Sequence, residues 1–127
     1  MKTILRKTML LPVMLAAFLL TSCENDDWRL EEEIIGSWSY LYEDKYKFEE
    51  ETYNFTPQGD WTYQYLYRDV YGEYESVVDA GTYEISFGRL VLYSNFSNES
   101  YSYSLTINGP ILELRNGSYY AEFERFR

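Results

Sequence analysis

The chain has 127 residues, with 21 acidic against 11 basic and a net charge of −10, which suits one domain and argues against nucleic acid or an anionic surface as a partner. Histidine is absent, so Ser-His-Asp catalysis and ordinary zinc sites have no residues to build them. Fifteen Tyr, 7 Phe and 3 Trp are far more than a disordered chain carries.

Lys2, Arg6 and Lys7 precede an apolar run from Met9 to Leu20 that only Pro12 interrupts. This is the layout of a secretory signal, too short to span a bilayer. Leu20-Thr21-Ser22-Cys23 follows and resembles the lipobox of bacterial lipoproteins. The resemblance implies cleavage after residue 22 and acylation of Cys23, which holds the only thiol in the chain. An odd cysteine outside the cytosol cannot form an internal disulfide, and a lipid anchor in the membrane accounts for it. An ordinary secretory peptide followed by a free thiol is the competing reading.

Cleavage leaves 105 residues with 8 basic against 21 acidic side chains, a net charge of −13. Glu24, Asn25, Asp26 and Asp27 follow the cysteine directly, with Glu31 to Glu33 behind them. Residues 23–33 therefore read as an acidic linker, kept extended by its own charge. The acidic run also looks like the export signals of surface lipoproteins in Bacteroidetes-type bacteria. The expected address is the cell envelope, on the outer membrane, with both the surface and the periplasmic face left open by the sequence.

From Ile34 onward apolar residues recur with period two. Tyr101 to Ile107 alternates large apolar with small polar residues, and Trp61 to Tyr67 has an aromatic at every odd position. Such alternation marks strands buried on one side, and no helical stripe interrupts it. Turn signals at Pro57-Gln58-Gly59-Asp60, Phe87-Gly88-Arg89, Asn108-Gly109-Pro110 and Asn116-Gly117 cut the chain into short pieces. Strands are expected near 36–43, 48–56, 61–68, 74–86, 89–95, 99–107, 111–115 and 118–126, the fourth being the weakest. Short connections make neighbours pair as an antiparallel up-and-down meander. Closure of about eight strands into an all-β barrel over 34–127 then removes the exposed edges. A membrane-spanning barrel fits poorly, because the apolar face is tyrosine-rich throughout.

Ile35-Gly36-Ser37-Trp38 opens the first strand like the Gly-x-Trp of lipocalins. Tyr53-Asn54-Phe55 with Gly59, Gly81-Thr82-Tyr83-Glu84-Ile85, Leu90-Val91-Leu92, and Ile107-Asn108-Gly109 before Leu112-Glu113-Leu114 follow in order. Together they resemble the small lipocalin-like domains of Bacteroidetes lipoproteins. The resemblance implies that Gly36 and Trp38 close one barrel end, with Arg125 or Arg127 stacked over the indole.

No cofactor or metal is expected: no calcium loop is spelled out, and acids such as Glu84, Glu113 and Glu122 fall on outward positions. The candidate ligand wall is Trp61, Tyr63, Tyr65, Tyr67, Tyr83, Tyr101 and Tyr103. Such a wall either stacks a small apolar or glycan ligand or fills the core with its own rings. The leading expectation is a non-enzymatic, anchored ligand-binding barrel. Its alternative is a solid barrel that contacts an envelope protein partner.

Overall fold

A computed structural model describes residues 27–126; the signal segment, Cys23, the first residues after it and Arg127 lie outside the described residues. The fold is all-β: a closed antiparallel up-and-down barrel preceded by one short helix. After helix α1 (Asp27–Glu33) come β1 (Gly36–Glu43), β2 (Lys47–Phe55), β3 (Asp60–Asp69) and β4 (Tyr74–Ser86). The second half is β5 (Arg89–Ser94), β6 (Ser100–Asn108), β7 (Ile111–Asn116) and β8 (Tyr119–Arg125). Each strand pairs with the next, and β8 returns to β1. The eight expected strands are present, and the weakest, β4, is the longest at 13 residues.

Period-two alternation does the sorting. Trp38, Tyr53, Phe55, Trp61, Ile85, Leu90, Leu92, Leu105, Ile107, Leu112, Leu114 and Phe123 are buried inside the barrel. Each such side chain removed from water contributes roughly 1.5–3 kcal/mol. Trp61 and Gly81 are cross-strand partners. The missing side chain at Gly81 lets the indole pass over β4 and donate Nε1–H to the Tyr93 carbonyl of β5 at 3.2 Å. A Cβ at Gly81 would lie 1.7 Å from that carbonyl oxygen.

The expectation of an extended linker is corrected across 27–33, which is helical. Leu30 and Ile34 are buried and plug the barrel end, while Arg29 and Glu33 form an i,i+4 ion pair at 2.7 Å on the outer side. With seven residues and Leu30 as its buried one, α1 shows no stripe that a sequence reading would register. Its docking is specific. The Asp27 carboxylate accepts the backbone N–H groups of Phe87 at 2.7 Å and Gly88 at 2.9 Å. These belong to the β4–β5 turn, where Phe87 has φ of 54°. A bulky residue in that region is strained, and the carboxylate helps hold it there.

Barrel closure was expected to remove every edge, and it leaves two. β1 meets β8 only at Trp38↔Arg125 and Ser39↔Glu124, so Tyr40 to Glu43 have β2 as their sole partner. On β4, residues 74–79 pair with β3 while the β5 register begins at Gly81. Strands β1 to β4 therefore rise past the rim as a wing, higher than the β5–β8 side.

Candidate functional site

The barrel has a closed end, carrying α1 and the turns at 56–59, 87–88 and 109–110, and an open end under the wing. Trp38 lies at the closed end, fully buried, and its Nε1–H donates to the Ile34 carbonyl at 2.8 Å. The Arg125 guanidinium stands 4.2 Å from its ring centroid. The same guanidinium donates to the Glu33 carbonyl at 2.6 Å and the Ile35 carbonyl at 3.1 Å. One side chain thus ties β8 to the exit of α1 and to the lid over Trp38.

The seven aromatic candidates divide between the two ends. Trp61 is buried in the core, and Tyr83 packs edge-on against Phe55 at 5.1 Å while its hydroxyl donates to the Thr56 carbonyl at 2.8 Å. Both stabilise the closed end. Tyr63, Tyr65, Tyr67, Tyr101 and Tyr103 are half-buried in the open half. Of these, Tyr67 and Tyr101 send their hydroxyls to rim carboxylates, Asp69 at 3.2 Å and Glu99 at 3.4 Å.

Tyr53 forms the floor between the halves. Its ring meets Tyr63 at 4.9 Å and stands edge-on to Phe123 at 5.3 Å. Above it, Tyr103 and Tyr119 pair at 5.6 Å. Facing them is Glu51, which the alternation places on the inner side of β2, two residues from Tyr53. Burial, reinforced by Glu49, raises its pKa above the ordinary carboxylate value, and the neighbouring Tyr63 hydroxyl opposes that rise. Among the described residues no lysine or arginine pairs with it; Lys47, the nearest cation on the same face, is engaged with Glu49 at 3.5 Å.

Desolvation and the neighbouring Glu51 push the Tyr63 hydroxyl well up, and desolvation followed by Tyr103 pushes Tyr119 up to about 12. Tyr53 and Tyr103 move the same way, chiefly by burial. These hydroxyls are neutral donors at any physiological pH. The wall therefore offers ring faces, O–H donors and the half-buried Glu51 carboxylate, with Glu49, paired to Lys47, two residues further along the same face.

A cavity of about 360 Å³ adjoins this wall. Tyr40 and Glu51 line one side, Tyr119, Ala121 and Phe123 the other, and Tyr120 with Glu122 stand at its outer lip. It opens through the unpaired part of the β1–β8 seam, where a second recess of about 560 Å³ bounded by Leu41, Glu122 and Glu124 continues along the surface. Among the described residues no group of three or more His, Cys, Asp or Glu side chains is placed to hold a metal.

Glu51, Tyr40 and Tyr119 are site residues that the sequence reading missed. Counting back by twos from Phe55 would have found Glu51 on the inner face with Tyr53, but a charged inward position looks locally like a break in the pattern. Tyr119 stands beside Tyr120, and nothing local says which of the two turns inward. No protein-family profile matches the chain, and no curated protein matches it in sequence.

Proposed function

We propose that this chain is a membrane-anchored, lipocalin-like lipoprotein of the cell envelope that holds a small apolar or glycan ligand without catalysis. The anchor in this reading is an acylated Cys23, and the ligand enters at the open end. The observation that carries it is the contrast between the two ends: the core packs solidly around Trp38, while a half-open pocket of about 360 Å³ remains at the β1–β8 seam beside Glu51 and Tyr119. That volume falls within the lower range of small-molecule pockets. The Gly36-Ser37-Trp38 opening and the Arg125 clamp over its indole support the lipocalin-like part.

Native mass spectrometry on the protein purified from its own host tests the reading. A bound species of defined mass supports a carrier, and a clean apo mass that persists after incubation in host lysate refutes it. Replacing Cys23 with alanine tests the anchor separately. The variant should leave the membrane fraction, and retention there would overturn lipidation.

A second reading is an interaction module that acts on an envelope protein. The wing favours it, because Val70, Tyr71, Tyr74 and Val78 are all more than half exposed beside the free β4 edge. Exposed apolar clusters of this kind serve as partner surfaces, and free strand edges accept a further strand. Crosslinking from Tyr71 to a single envelope protein in intact cells would favour this reading over the first.

A further inference from the structure

We infer that the ligand is an organic cation, a substituted ammonium with a short apolar body, seated with its charge against Glu51 and the rings of Tyr40 and Tyr119. This rests on the carrier reading above and replaces its apolar or glycan ligand with a charged one.

Three observations converge. Glu51 is an inward, half-buried carboxylate beside Tyr63, with no basic side chain paired to it among the described residues. A partly buried carboxylate without a counter-ion is costly to maintain, and an entering cation supplies the missing charge. Second, the walls around it are tyrosine rings, whose negative faces attract ammonium groups and serve in other proteins as cages for methylated amines. Third, the entrance is acidic: Glu122 stands at the lip of the cavity and Glu124 borders the outer recess, on a chain of net charge −10. Field and cavity both select for positive charge, and anionic ligands are repelled before they reach the wall.

Size sets the remaining limit. A cavity of about 360 Å³ accepts an amine carrying a ring or a short chain. The ring faces distinguish an organic from an inorganic cation. A bare metal ion needs several oxygen ligands, and among the described residues no three His, Cys, Asp or Glu side chains are grouped to supply them.

The test compares three probes of similar size on the full chain in a non-ionic detergent: benzyltrimethylammonium, neutral benzyl alcohol and anionic benzylsulfonate. Titration calorimetry should show the cation binding about tenfold or more tightly than either analogue. Glu51→Gln should abolish that preference while leaving the weak binding of benzyl alcohol, and Tyr119→Ala should weaken the cation more than the alcohol. Thermal melts of both variants establish that they fold. Equal binding of the three probes, or an undiminished preference in Glu51→Gln, overturns the cation assignment and leaves the carrier reading standing. Absence of binding by every probe at millimolar concentration overturns the cation assignment, and native mass spectrometry of the host-purified protein then decides the carrier reading by itself.

Discussion

Arg125→Ala should destabilise the barrel by about 2–3 kcal/mol, although the residue is exposed. The guanidinium stacks 4.2 Å from the Trp38 centroid, an interaction contributing roughly 0.5–1 kcal/mol where solvent reaches it. It also makes two hydrogen bonds, to the carbonyls of Glu33 and Ile35, each contributing about 0.5–1.5 kcal/mol net. Those carbonyls lie where α1 ends, so the loss falls on the junction of helix, Trp38 and β8. In a domain of about a hundred residues the sum corresponds to a fall in Tm of about 10–15 °C. Arg125→Lys should lie between, because lysine keeps the charge and loses the planar fork that reaches two carbonyls while stacking. Urea unfolding followed by tryptophan emission measures both variants, with Trp38 reporting on the site itself. A loss below about 0.5 kcal/mol for the alanine variant, the range of an ordinary surface substitution, would refute the reasoning, as would a lysine variant as stable as the wild type.

Gly81→Ala should cost about 3 kcal/mol or more, since its Cβ would meet the Tyr93 carbonyl at 1.7 Å and displace the Trp61 indole; a urea midpoint near that of the wild type would contradict the close approach. Asp27→Ala should cost about 1–2 kcal/mol by releasing the N–H groups of Phe87 and Gly88, and hydrogen exchange should quicken in α1 and that turn before anywhere in the strands. Glu51→Gln should raise Tm at neutral pH. The folded-state pKa of Glu51 lies above its unfolded value, so its carboxyl favours folding below the unfolded pKa, and that favour is lost as pH rises through the folded one. The difference between variant and wild type should therefore shrink on acidification through the ordinary carboxylate range and just above it. Tyr53, Tyr63, Tyr103 and Tyr119, all raised, stay neutral throughout. A Glu51→Gln variant that melts lower at neutral pH would show the carboxylate to be structurally required.

Local patterning determined the strands. Trp61 to Tyr67 and Tyr101 to Ile107 alternate because each side chain on a pleated backbone faces opposite to its neighbour, so inner and outer residues can be counted without knowing the partner strand. Turn chemistry placed the hairpins at Asn108-Gly109-Pro110 and Asn116-Gly117, and short connections left the up-and-down order as the natural one. The Trp38 position was likewise legible from residues adjacent in sequence. What the tertiary structure decided depends on residues far apart. α1 became a plug because Leu30 found the barrel end and Asp27 found a turn 60 residues away. Arg125 reached Trp38 because β8 meets β1 at that one level. The seven aromatics split into core and open wall according to their height in the barrel, a quantity set by strand register across the whole sheet. Glu51 gained its role in the same way: its inward direction is local, but its enclosure comes from Tyr63 on the neighbouring β3 and from Tyr103 and Tyr119 on β6 and β8. The seam that admits solvent to it exists because β1 and β8 stop pairing after Ser39. Alternation carries direction; only closure of the sheet carries depth, and depth separates a packed ring from a binding wall.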